Sequence, residues 1–273
     1  MSKTDTTENT SSALVSAPSQ GSSVRLTGWL ILIVAAAAIA SQMRWDWIMD
    51  YYPLLWRGLV TTIILVIVTS VLGLLLAIPI GLVQVVGPFW LAWPAKAFCT
   101  VIRGTPLLLQ LWLLYYGLGS LFPQFPWIRQ SELWPILRQA WPYAVLGLTM
   151  SYAAYEGEVL RGAFAGVGKD QLDAGRSFGM SERQIFRRIW LPQAVRRAMP
   201  TLAGETILQL KATPLVATIT VLDVYSAAAQ VRQSTYLTYE PLLLISAIYI
   251  IISLGILKIF SRFSSSKQVR LAG

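Results

Sequence analysis

Residues 58–86 carry no charged side chain, and a second uncharged run covers 241–257. An α-helix rises about 1.5 Å per residue, so roughly 20 apolar residues cross the hydrocarbon core of a bilayer. Runs of this kind in one chain predict membrane-spanning helices rather than buried helices of a soluble domain. The composition agrees, with 55% of the 273 residues apolar and 13% charged, far from soluble usage. The chain contains no histidine and a single cysteine, Cys99. The usual general base and zinc ligand are therefore missing, no disulfide can form within the chain, and Cys99 reads as a small buried apolar residue. Neither catalytic residues nor a metal site are expected.

An all-α membrane protein of six transmembrane helices follows from a pass along the chain. Residues 1–24, rich in Ser and Thr, read as a disordered cytoplasmic tail. Segment 25–55 reads as an extra N-terminal transmembrane helix and a periplasmic loop. Its apolar part, 26–40, follows Arg25 and ends in Ala38-Ile39-Ala40. A retained helix and a cleaved signal peptide both fit that pattern. The second span, 56–86, exceeds the bilayer thickness and must tilt, kink at Pro79 or project beyond the lipid. The third lies within 90–121 and is interrupted at Arg103-Gly104-Thr105-Pro106. The fourth covers 138–160, and a basic segment, 161–197, follows it. The fifth, 198–222, carries Glu205 and Lys211, and the sixth occupies 240–260 ahead of a basic cytoplasmic tail, 261–273.

The net charge of +9 is distributed as a membrane protein requires. With the N-terminus inside, fifteen Lys and Arg fall on inside segments and five on outside ones, while Arg103 and Lys211 lie within spans. The positive-inside rule then places both termini in the cytoplasm and accounts for the charge without nucleic acid. Trp45, Trp47, Tyr51, Tyr52, Trp127, Trp134, Trp141, Tyr236 and Tyr239 collect near the outer boundary, as an interfacial aromatic belt does.

The basic segment holds the most informative pattern. It reads as two short helices broken at Gly179, with Ser181 capping the second and Pro192 stopping it. Ala174 and Gly175 offer a small face on which another protein can pack closely. Asp173-Ala174-Gly175, then Gly179, then Ile189-Trp190-Leu191-Pro192 resembles the Glu-Ala-Ala, Gly, Ile-x-Leu-Pro signature of ABC importer permeases. Asp stands for Glu and Gly for the second Ala, and both keep the chemistry. Arg103-Gly104-Thr105-Pro106, Ala154-Tyr155-Glu156-Gly157-Glu158 and Gly204-Glu205-Thr206-Ile207 through Pro214-Leu215 are similar to segments of polar amino-acid permeases, most closely the histidine and lysine/arginine/ornithine type. The resemblance covers 56–260 and implies a five-span core, to which 26–40 is an addition. It also implies that the loop around Asp173, Ala174, Gly175, Gly179, Ile189, Leu191 and Pro192 docks on a separate ATP-binding subunit. Further implied partners are a second permease, identical or different, and a periplasmic solute-binding protein, all in the bacterial inner membrane or beside it.

The interrupted span suits a solute path. Gly104, Thr105 and Pro106 free backbone groups that must be buried in protein or face water, and a helix restarting there presents N–H groups to a carboxylate. Glu205 lies inside an apolar span, where an ionised group needs a partner or hydration. One reading has it hold a solute ammonium or guanidinium with help from Asp223. The other pairs it internally with Lys211 or Arg103. Ala212 stands where some arginine-binding relatives carry an acid, which counts against a cationic solute. Glu158 and Arg161, three apart, read as a structural pair. Gly166-Val167-Gly168-Lys169-Asp170 lacks the first glycine of a phosphate loop and has Asp170 where Ser or Thr must meet magnesium. The chain is therefore expected to bind no cofactor, with ATP and Mg used by the partner ATPase. An opine or other polar compound as solute, and an ion-coupled secondary transporter, are the alternative readings.

Overall fold

The computed structural model describes residue 34 and residues 41–265. The expected tail 1–24, nearly all of the additional helix at 26–40 and the terminal residues 266–273 lie outside the described residues. The chain divides after Asp46, and the architecture below is that of the unit beginning at Trp47. Its described residues form helices and no strand.

Helix α1, Trp47–Val86, runs forty residues unbroken through Pro53 and Pro79. At about 1.5 Å per residue it is about 60 Å long, twice a hydrocarbon core of about 30 Å. It starts earlier than the expected 56, so Trp47–Tyr52, assigned above to the outer loop, form its first turns. Helix α2, Phe89–Gly104, and α3, Leu107–Gln124, meet at an angle of 103° across Thr105-Pro106. Within α3 the turns widen to a π-helix over Leu113–Leu118. Helix α4 spans Trp141–Ala165 and α5 spans Lys169–Ser177. Helix α6, Glu182–Ile219, bends by 55° into α7, Val224–Thr235. Helix α8, Tyr239–Ser265, closes the unit.

Length and apolarity alone qualify α1 and α8 as spans, and up to four spans result if each bent pair counts as one. The five spans expected over these residues are thus not all reproduced. The difference is α4, which carries Glu156, Glu158 and Arg161 and is covered by α1, α2, α3 and α6. A helix walled by other helices meets little lipid and needs no continuous apolar surface. In α1 and α8, by contrast, Ile67, Val71, Leu75, Ile250, Ile251 and Leu254 are exposed, as lipid-facing residues are.

Two features of sequence set how closely α4 sits. Gly73, Ala77 and Gly81 recur every fourth residue on α1 and are buried. A Cβ at Gly73 would stand 2.7 Å from Tyr152 Cδ1, and one at Gly81 would stand 2.9 Å from the Arg161 nitrogen and the Gly157 oxygen. On α4, a Cβ at Gly157 would come within 2.8 Å of Ile80 Cγ2. Small residues on both helices let the backbones touch, which is how helices gain dispersion energy in lipid.

Apolar clusters occupy both ends of the bundle. One joins Ala77, Leu160, Phe164, Ala194, Ala198 and Leu202, and the other Leu65, Leu111, Leu148, Val216 and Ile219. Between them in each helix lies a polar layer. Gln209 Nε2 donates to Thr69 Oγ1 at 2.9 Å and to the Leu148 carbonyl at 3.0 Å, and the Tyr152 hydroxyl lies 2.7 Å from Thr206 Oγ1. Gly81→Val is expected to cost about 1–3 kcal/mol through overpacking, read as a lower midpoint of thermal unfolding in detergent. Gly255→Ala, with no atom within 4 Å of its Cβ, should leave the midpoint unchanged or raise it.

Candidate functional site

The break between α2 and α3 is built by three residues. Thr105 is extended (φ −113°, ψ 143°) and Pro106 cannot donate a backbone hydrogen bond. Gln110 stitches the corner together, its Nε2 donating to the Ile102 carbonyl at 2.8 Å and to Thr105 Oγ1 at 2.8 Å. No side chain caps the start of α3, so its first N–H groups have no partner within the helix.

A cavity of about 210 Å³ opens beside that helix start. Leu107, the first residue of α3, lines it with Ser151, Tyr152 and Tyr155 of α4 and Glu205, Leu208, Gln209 and Ala212 of α6. Glu205 and the restarted helix, singled out separately in the sequence, therefore face one space. Gly104 and Thr105 form the corner itself and are exposed, outside the cavity wall. Asp223 is placed elsewhere and corrects the expectation that it assists Glu205. It is fully buried as the N-cap of α7, accepting from the Ser226 N–H at 2.8 Å. Ser151, Tyr152, Tyr155 and Gln209 were missed, although polar residues at three- and four-residue spacing in apolar helices marked them.

Glu205 has no Lys or Arg nitrogen within 4 Å among the described residues, so neither internal pair expected for it is formed. Arg103 instead reaches Glu158 at 3.8 Å and lies over the Tyr155 ring, 5.3 Å from its centre. Glu158 also receives Arg161 at 3.0 Å, the i,i+3 pair read from the sequence.

The basic loop folds as an elbow. Helix α5 ends with Met180 N–H donating to the Gly175 carbonyl and Gly179 N–H to the Arg176 carbonyl, with Gly179 at φ +74°. That pair of bonds is a Schellman cap, and it requires the left-handed angle that glycine adopts without strain. Ser181 then caps α6 through a reciprocal box with Gln184. Arg176 braces the two arms, bonding Asp173 at 2.6 Å and gripping both oxygens of Glu182 at 2.7 and 3.1 Å. Phe178, at the tip, is 86% exposed.

Two expectations for this loop change. Gly175 does not belong to a free docking face, since it is buried and a Cβ there would lie 2.9 Å from Ile189 Cδ1 of the same chain. Asp173 and Ala174 beside it are exposed. Nor does Pro192 stop a helix, because α6 runs through it from Glu182 to Ile219. The turn before it is a π-helix, Phe186–Trp190, and such a bulge accommodates the proline ring that would clash in a regular α-helix. Leu191 joins the apolar cluster at this end of the bundle, and Trp190 Nε1 donates to the Phe164 carbonyl at 2.9 Å.

Residues 70–267 match the model of the family described as the binding-protein-dependent transport system inner membrane component. The chain belongs to that family. It is 36% identical over 204 residues, 75% of its length and 82% of the relative's, to the octopine transport system permease protein OccM of Rhizobium radiobacter. To the histidine/lysine/arginine/ornithine transport system permease protein HisM of Escherichia coli K12 it is 32% identical over 217 residues, 77% and 90% of the two chains. Among solved structures, a crystal structure of an amino acid ABC transporter with histidines superposes with a TM-score of 0.67 at 30% identity, covering 81% of this chain and 99% of that one. The permease fold expected from the sequence is therefore present.

In the permease's elbow, hydrogen bonds from Arg176 hold the Glu182 carboxyl below its ordinary 4.5. A group depressed on folding stabilises the folded form above its unfolded pKa, and that contribution is lost as pH falls through the folded value. Spin labels at Gln171→Cys and Arg187→Cys, in a Cys99→Ala background, should give one narrow distance at neutral pH. The distribution should broaden as the pH falls below the ordinary carboxylate value, and Arg176→Met should give the broad form at all pH values.

Proposed function

We propose that this permease is a transmembrane subunit of an ATP-driven importer of polar amino acids, with basic ones as the favoured solutes, in the bacterial inner membrane. The observation that carries the reading is the cavity shared by the uncapped start of α3 and Glu205. Helix N-termini favour carboxylates and a carboxylate favours an ammonium, so the two ends of an amino acid have complementary walls. Relatives named for histidine, lysine, arginine and ornithine transport support this class of solute. The similarity to OccM favours an opine as the second reading. A volume of about 210 Å³, below the roughly 300–1,000 Å³ of drug-sized sites, suits a single amino acid better.

The partners follow from what the chain lacks and what it exposes. The Arg103–Glu158 pair lies partly exposed on apolar helices, with Arg103 42% exposed. Lipid solvates such charges poorly, so a second permease subunit, identical or homologous, covers this face and encloses a wet path. Two separate ATPase subunits bind ATP and Mg and receive the elbow, with Asp173, Ala174 and Phe178 outermost. A periplasmic binding protein delivers the solute, and both termini lie in the cytoplasm, as the fifteen-to-five charge distribution favours. Closure of the ATPases moves the elbow and drives alternating access.

Two measurements on the complete importer in proteoliposomes test these assignments. Gly179→Val forces a side chain into a left-handed position, at about 1–2 kcal/mol, and should lower uptake while ATP hydrolysis continues. Uptake and coupling at wild-type levels would remove the docking role from the elbow. Glu205→Gln loses a charge-assisted hydrogen bond of about 1.5–3 kcal/mol, so amino-acid binding should weaken about ten- to a hundredfold at normal yield. Recovery of binding on adding Lys211→Met would show that Glu205 serves only to balance Lys211.

A further inference from the structure

Glu156 is a carboxyl group that the fold goes out of its way to enclose. It lies on α4, one turn beyond Tyr152, and is 0% exposed. Neither of its oxygens has a hydrogen-bond partner within 3.5 Å, and the Tyr152 hydroxyl is the neighbouring group that interacts with it. An enclosed acid at membrane depth is costly unless something answers it, and each buried polar atom left unpaired needs an explanation. Six buried side-chain atoms are unpaired among the described residues, and four of them are Ser70 Oγ, Thr149 Oγ1 and the two oxygens of Glu156. Thr149, Tyr152 and Glu156 share one face of α4 by their spacing, and Ser70 of α1 lies beside the Tyr152 hydroxyl without bonding it.

This cluster lies directly behind the cavity. Tyr152 belongs to the cavity wall and is held there by its 2.7 Å hydrogen bond to Thr206. Glu205, the neighbour of Thr206, lines the same cavity as Tyr152. No lysine or arginine lies within 4 Å of Glu156 among the described residues. The unpaired atoms are oxygens, and the carboxylate among them only accepts. The complement of a carboxylate is a donor that carries positive charge, which describes a guanidinium or an ammonium.

We propose that Glu156 is the specificity-determining acid of the solute site, holding the positively charged side chain of a cationic amino acid once Tyr152 releases Thr206. This rests on the cavity being the solute site and adds a division of labour within it. A cationic amino acid has two positive groups and one carboxylate. Glu205 answers the α-ammonium, which every amino acid has, and Glu156 answers the second charge, which only cationic ones have. The absence of an acid at Ala212, which counted against a cationic solute in the sequence, is made good from α4.

The test is the binding of arginine and of glutamine to the complete importer in nanodiscs, by titration calorimetry. Glu156→Gln should lower the preference for arginine over glutamine about ten- to a hundredfold, the loss of one charge-assisted contact. Glu156→Leu should do the same while melting no lower than wild type, because an apolar side chain then replaces an unpartnered acid. An unchanged preference in both variants overturns the proposal. So does equal weakening of both solutes, failure of both variants to assemble, or a wild-type importer that does not bind arginine. Glu205→Gln separates this inference from the reading beneath it. If Glu205→Gln leaves both solutes bound as in wild type, the cavity is not the solute site and both ideas fall. If it weakens both while Glu156→Gln changes nothing, only the role of Glu156 is lost.

Discussion

The contact between α1 and α4 is a close approach of glycine backbone on each helix to the surface of the other, and the rest of the bundle is arranged around it. With Gly73, Ala77 and Gly81 on one helix and Gly157 on the other, the two axes approach until Cβ atoms at these glycines would collide. In water such contacts would be secondary to burial of apolar surface. In lipid they are the main attraction available, since a leucine gains little by leaving one hydrocarbon for another. The approach also fixes the depth of α4. It holds Tyr152 against Gly73 and so places the Tyr152 hydroxyl within reach of Thr206 on α6. Without that register the cavity would have no wall on the α4 side.

The same constraint explains why polar groups are concentrated in one layer. Every backbone N–H and carbonyl within a bilayer must be satisfied locally or face water. A corner as sharp as the one between α2 and α3 releases several such groups at once. Gln110 satisfies the carbonyl of Ile102, but no side chain caps the start of α3. Water is one partner open to those N–H groups, and on the proposed reading a solute carboxylate is the other. On the proposed reading, the defect in the helix and the binding site are one feature. The apolar clusters above and below the layer then confine water to the level at which it is needed.

Local punctuation made part of this legible in the sequence. Gly104-Thr105-Pro106 announced the corner because glycine and proline act on their own backbone, and Gly179 and Ser181 announced the elbow for the same reason. Asp223 shows the limit. An acid next to an apolar span invites a binding role, yet the pattern of Asp223 with Ser226 three residues on is also that of a helix cap, and the cap is what forms. Pro192 reads as a stop only if the preceding turns are regular, and no sequence rule revealed the π-bulge. Glu156 could not be assigned from its motif, because its complete burial depends on the helices packed around α4. Burial of that kind is a property of several helices together and of no single one.

One helix joins the elbow to the cavity. Helix α6 starts at the Ser181 cap, passes Trp190 and carries Glu205 into the polar layer. Phe164, Phe186 and Trp190 form an aromatic cluster where α6 crosses the end of α4, with ring centres 5.7–6.4 Å apart. The Trp190–Phe164 hydrogen bond pins the helix at that point. Taken as a pivot, this cluster divides α6 into unequal arms. From Glu182 to Trp190 is about 12 Å, and from Trp190 to Glu205 about 22 Å, at 1.5 Å per residue. A tilt about the cluster would therefore move Glu205 about twice as far as it moves the elbow, and in the opposite direction. The bulge at Phe186–Trp190 lies at the pivot, where a helix that must both tilt and accept a proline can best spare regular hydrogen bonds. A push of a few ångströms on the elbow would then shift Glu205 by about twice that distance, which on the proposed reading alters the spacing of the two walls of the solute cavity.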